Sequence, residues 1–202
     1  GSFVLSGDEI GVDGVTRLAS VACRAVRIQL NGTNNIGTGR IQLARVIIHR
    51  AAEAHPVNDV ALDGVATQSS EYYLDKGWAS SAIDGDISLE SAFSITGNEP
   101  QAWWQVDLGQ PHTISQIMVY TPLDSAGLGR NYRVSVWDSN PTNAGATELW
   151  GKNFYYSNGT IPSNGILTIN GWATSGGKRL DSITNGVVVR ANLLGQSLFP
   201  IH

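Results

Sequence analysis

The sequence predicts an all-β sandwich, and three observations carry that prediction. Helical periodicity is almost absent from the 202 residues. Short segments of alternating apolar and polar residues recur instead, rich in Val, Ile, Tyr and Trp, as half-buried strands require. Clusters of Gly, Asn, Pro and Ser part them, and 23 glycines with only 15% charged residues suit a β protein with many turns.

Ala25 to Leu30 and Ile41 to His49 are the first two expected strands, parted by the turn signal Asn31-Gly32-Thr33-Asn34-Asn35. Arg50-Ala51-Ala52-Glu53-Ala54 is the longest helix-friendly run. His55-Pro56 stops it, because proline disfavours helix in the residue before it, and the run reads as a linker. Trp103 to Leu108 alternates large apolar and polar side chains and ends on a turn glycine, Gly109. Ile114 to Tyr120 and Tyr132 to Trp137 follow, with Asn140-Pro141-Thr142-Asn143 as the next turn. Gly165 to Ile169 and Val187 to Leu193 complete the set. Period-2 faces assign Trp104, Val106, Ile117, Val119, Val134 and Val136 to one inter-sheet core. Trp103 and Trp137 also lie in strands and are packing candidates first.

Composition excludes several classes. A net charge of -4 and the lack of a basic face argue against nucleic acid. Arg24, Arg27, Arg40, Arg45 and Arg50 alternate along apparent strands and read as a solvated strand face. Cys23 is the single cysteine, so an intrachain disulfide and a thiolate metal cluster are both excluded, and a buried, inert thiol is expected. No run approaches the roughly 18 apolar residues of a membrane span. Asn31-Gly32-Thr33 and Asn158-Gly159-Thr160 fit the glycosylation sequon, but Asn-Gly is first a turn signal. Enzymatic signatures are missing: there is no His-Glu-x-x-His, no Gly-x-Ser-x-Gly and no phosphate loop, and the four histidines share no spacing.

The strand Trp103-Trp104-Gln105-Val106-Asp107-Leu108-Gly109 has informative neighbours. Ala66-Thr67-Gln68-Ser69-Ser70 and Ala82-Ile83-Asp84-Gly85-Asp86 precede it; Ile114 to Tyr120 and Tyr132 to Asp138 follow. In that order and spacing the set resembles the discoidin-like domain, also called the coagulation-factor type C domain. Its relatives include fucose-binding lectins and the family-32 carbohydrate-binding modules. The resemblance runs from about Val57 to Leu194 and implies a jelly-roll β-sandwich, galactose-binding-domain-like.

The family's last hairpin resembles Arg-Tyr-Val-Arg-Ile-Gln-Leu, then Leu-Ala-Glu-Val and a short apolar strand. Here that pattern stands near the start, as Cys23 to Leu30 followed by Leu43-Ala44-Arg45-Val46-Ile47-Ile48. Its first half returns as Val187 to Leu194 without a closing strand after it. Residues 1–55 therefore read as the tail of one such domain plus a linker, packed on the sandwich of residues 56–202. Strand exchange with a neighbouring domain or chain is the competing arrangement. Leu43 to Ile48 is expected to pair as a full sheet member, with Ala44, Val46 and Ile48 inward and Arg45 facing out.

Ser81, Asp84, Asp86 and Ser91 offer carboxylates, hydroxyls and turn carbonyls, the oxygen-rich chemistry calcium takes. The resemblance implies structural calcium at these positions, closed by the Glu of Leu-Ala-Glu, where this chain has Arg45. In the plainer reading, Asp84 caps a turn by accepting from backbone amides. Fucose-specific relatives use a His shortly before the Trp-Trp strand and two arginines flanking an aspartate. Ile95 and Pro122 stand at two of those positions, and only Asp124 and Arg130 match. What remains is a rim of Tyr72, Tyr73, Trp78, Asn98, Glu99, Asp124 and Arg130, in which rings stack on a sugar's apolar face while polar groups bond its hydroxyls. The expected function is a non-catalytic carbohydrate-binding module of a larger secreted or cell-surface protein, its partner a glycan or polysaccharide. The competing reading is a structural or adhesive spacer that binds protein partners or neighbouring domains.

Overall fold

A computed structural model describes residues 9–10, 16–17, 22–33, 38–50, 59–72, 77–86, 93–122, 131–155, 165–170, 173–175 and 178–180. Two-residue strands β1 (Glu9–Ile10) and β2 (Thr16–Arg17) pair with each other. β3 (Ala22–Leu30), β4 (Gln42–Leu43), β5 (Arg45–Arg50) and β6 (Val65–Gln68) follow. Next come a 3-10 turn, η1 (Ala79–Ala82), and β7 (Ser94–Ile95). β8 (Trp103–Tyr120), β9 (Asn131–Trp137), β10 (Glu148–Tyr155), β11 (Ile166–Asn170), β12 (Ala173–Ser175) and β13 (Lys178–Leu180) complete the described elements. The fold is an all-β sandwich.

β8 organises the molecule. Its first half pairs on one side with β3 and on the other with β6, and β3 continues through β9 to β10. Its second half, from Ile114 to Tyr120, pairs instead with β5 and β11. One 18-residue strand is thus shared by both halves of the sheet system. Two separate strands were expected over this stretch, because Gly109 and Pro111 look like a turn. The chain bulges there instead. On β8 the register jumps from Asp107 to His112 while β3 passes only from Ala25 to Cys23. Pro111, which has no N–H to give a ladder, sits in that unpaired interval. Gly109 takes a φ of 77°, and its N–H donates to Asp107 Oδ1 at 2.9 Å.

Burial follows the alternation. Trp104, Val106, Ile117, Val119, Val134 and Val136 are all fully buried in one cluster with Val26, Ile28, Val46 and Ile48. Strands from before and after residue 55 therefore fill the same core. Several elements carried too weak a pattern to be expected, β1, β2, β7, β12 and β13 by their length of two or three residues and three others besides. β6 has only four residues, η1 is one turn long, and β10 buries Trp150 and Phe154 across a Gly-Lys-Asn interruption and a bulge.

Leu43 to Ile48 does pair, and Ala44, Val46 and Ile48 are buried as expected, but the opposite face is not wholly outward. β4 bonds to β7 and β5 bonds to β8, with Ala44 as the break between them. Across that break the period-2 rule lapses, and Leu43, Ala44, Arg45 and Val46 are buried in succession. Arg45, expected to face out, is only 4% exposed. Nor is the arginine set a solvated face. Arg24 pairs with Asp107, Arg27 lies 4.5 Å over the Trp103 ring, Arg40 lies 4.3 Å over Tyr72, and Arg50 is exposed. Burial holds the Arg27 guanidinium below its ordinary pKa. The strand expected over Val187 to Leu193 lies outside the described residues.

Candidate functional site

The loops after β6 and before β8 are knitted together by side chains from the Ala66-Thr67-Gln68-Ser69-Ser70 run. Gln68 Nε2 donates to the carbonyls of Ser70 and Gly77, each at 2.8 Å, and of Ile95 at 3.1 Å. Its Oε1 accepts from the Ser94 hydroxyl at 2.7 Å. One amide thereby fixes three chain segments. Glu99 Oε1 accepts from the hydroxyls of Ser69 and Ser70, the latter at 2.6 Å. Those hydroxyls in turn accept from the N–H groups of Trp103 and Gly97, both at 3.0 Å. Asn98 Oδ1 accepts from the Gly39 N–H at 2.7 Å. Gly39 has no alternative here, since a Cβ would overlap the Glu99 carbonyl. Glu99 and Asn98, expected on a sugar-binding rim, are thus engaged in building the loops.

Trp78 is the exposed ring of this region. It is 53% exposed, the one large aromatic so placed among the described residues, and it sits at the N-terminal cap of η1 with extended backbone. η1 is anchored from below, where Trp104 Nε1 donates to the Ala79 carbonyl at 2.9 Å. A buried core indole therefore holds the turn that presents an exposed one. Beside Trp78 runs a shallow groove of about 340 Å³ bordered by Thr67, Gln68, Ser70, Glu71 and Ser80. Hydroxyls, an amide and a carboxylate thus stand next to a flat apolar ring. Tyr72 is half-buried under Arg40. Tyr73, Asp124 and Arg130 lie outside the described residues. Glu71 and Ser80 were not singled out from sequence, since small or charged residues beside a strand carry no signal of their own; Thr67 was named only within its run, and Arg40 only as part of a solvated face. A larger hollow of about 620 Å³, bordered by Arg50, Asp63 and His112, presents no exposed indole or phenol ring.

The loop after η1 takes the turn-capping form. Asp84 Oδ1 accepts from the Asp86 N–H at 2.9 Å, and Gly85 between them has a φ of 92°. Ser81 stands in η1, half-buried, while Asp84 and Asp86 are exposed. Ser91 lies outside the described residues. No group of three or more His, Cys, Asp or Glu is placed to hold a metal among the described residues. Further along β8, Asp107 accepts from Arg24 at 3.0 Å. Burial alone would raise its pKa. The hydrogen bonds from Arg24, Gly109 and Asn140, with the Arg24 charge, outweigh that and hold it below the usual carboxylate range.

No helix among the described residues is long and apolar enough to cross a membrane. No curated protein matches the chain, and no solved structure matches it. A family model does, described as the NedA-like, galactose-binding domain, over residues 81–175. That segment takes in the Ala82 to Asp86 loop, β8 and β9, which carry most of the resemblance, and leaves out Ala66 to Ser70. Over residues 81–175 the chain is similar to the discoidin-like, F5/F8 type C domains, which are galactose-binding-like.

Proposed function

We propose that this chain is a non-catalytic carbohydrate-binding module of a larger secreted or cell-surface protein, and that Trp78 is its sugar platform. Galactose-binding-like domains are carbohydrate-binding or protein-interaction modules, typically without catalysis. The observation that carries the reading is a 53% exposed indole beside a groove with Thr67, Glu71 and Ser80 at its border. An apolar sugar face stacks on such a ring while hydroxyls and a carboxylate bond its edge. The groove is open, so binding is shallow and weak, and avidity from neighbouring modules would strengthen it.

Affinity electrophoresis against polysaccharides, with galactose-containing chains first, tests the proposal, followed by a glycan array. Trp78→Ala is expected to weaken binding about tenfold or more, equivalent to ~1.4 kcal/mol. Its folding stability should stay within about 0.5 kcal/mol of wild type, because the ring is exposed. Retardation by no glycan at all would favour the spacer reading, in which the sandwich serves only to hold or bind neighbouring protein.

A further inference from the structure

Charged side chains are almost never fully buried unless they are paired, and Arg45 is 4% exposed. Its Nη2 donates to Asp59 Oδ2 at 2.9 Å, and its Nη1 lies 3.8 Å from Asp84 Oδ1. Both carboxylates are held from behind. Asp59 Oδ1 accepts from the N–H groups of Ile48 and Ala61, at 3.0 and 3.1 Å, and Asp84 accepts from Asp86. A Cβ on Gly85 would stand 3.9 Å from Nη1, so the loop comes down close to the guanidinium. One cation therefore joins three segments that are remote in sequence: β5, the turn at Asp59 and the loop after η1.

The resemblance implies calcium at Asp84, closed by a glutamate at the position of Arg45, and the fold does bring these two positions together. It brings a positive charge where the implied ligand would be negative. A divalent cation on Asp84 would face a fixed, buried guanidinium at short range, and the described donors gather no third carboxylate there. The residues present do not fit a calcium ion. We propose that the Arg45 guanidinium is the cation of this site, tying the Asp84 loop to β5 and to the Asp59 turn with a side chain instead of a bound metal.

Thermal unfolding of the full chain, stripped of metal and measured in chelator and in excess calcium chloride, tests this. Wild type should unfold at the same midpoint in both. Arg45→Gln, which leaves Asp59 and Asp84 without their cation, should unfold lower in chelator and recover part of the loss in calcium. If that variant fails to fold, Asp84→Asn decides, because its side chain is outside the core and its amide oxygen still accepts from Asp86. It should unfold about 2–4 °C lower, by the same amount with and without calcium. A wild-type midpoint that rises in calcium, with the rise abolished in Asp84→Asn, would overturn the proposal. So would an Arg45→Gln protein that unfolds like wild type in chelator.

Discussion

Two regions of this molecule fasten loops to the same sandwich by different physics. Around Gln68 the fastening is a lattice of amide, hydroxyl and backbone hydrogen bonds, with the Glu99 carboxylate as an acceptor. Around Arg45 it is charge, one guanidinium set between two carboxylates. Directional bonds to backbone carbonyls fix where a loop lies. A charge cluster fixes that segments stay together and tolerates more variation in how. The lattice supports the side of the loops where Trp78 is displayed, where placement matters. The ionic cluster sits under a turn whose two aspartates face solvent.

The contrast can be broken at its shared support first. Trp104 lies under η1, which leads from Trp78 to the Asp84 loop, so Trp104→Ala should disturb both regions. Truncation of so large a buried ring is expected to cost about 3–5 kcal/mol, read from urea unfolding. Asp59→Ala comes next, at about 3 kcal/mol, because it leaves Arg45 buried with only the partly exposed Asp84, at 3.8 Å, to answer it. Gln68→Ala should cost about 2 kcal/mol through the carbonyls it leaves unbonded. Salt separates the two mechanisms: the Gln68→Ala loss should be the same at low and high ionic strength, whereas the Asp84 contribution should shrink as salt rises. Convergent salt dependences would dissolve the distinction.

Acid sharpens it further. Asp107 has a folded pKa below its unfolded value of about 3.9, so its contribution is fully present above that value and fades as the pH falls through the folded one. The exposed Asp138 is depressed in the same sense, by the Thr147 and Ser139 bonds it accepts. The midpoint of unfolding should therefore fall below about pH 4, and Asp107→Asn should flatten that fall. An unchanged acid profile in Asp107→Asn would show that its bond to Arg24 adds nothing.

Much of the fold was legible because strand burial has a simple period. Six core positions follow from alternation alone, and the pairing of Leu43 to Ile48 follows from an apolar strand that needed an edge. The orientation of Arg45 was not legible. Alternation assumes one unbroken strand, and the chain changes partners at Ala44, from β7 to β8. Asp59, its closest counter-ion, lies beyond the expected linker, with nothing local to announce the pair. At the candidate site, Trp78 could be named from sequence as an aromatic in a loop. Asn98 and Glu99 were named on residue type, which says nothing of whether a nearby backbone amide or hydroxyl already occupies their oxygens.

Cys23 gives the molecule a built-in clock. It is fully buried in β3, the strand clasped between β8 and β9, and burial pushes its thiol up to about 12. An alkylating reagent needs thiolate and access, and the folded chain offers neither. Labelling can therefore proceed only through those moments when the central strand comes free. With no second cysteine to confuse the count, the rate of that one modification measures how often the sandwich opens at its middle.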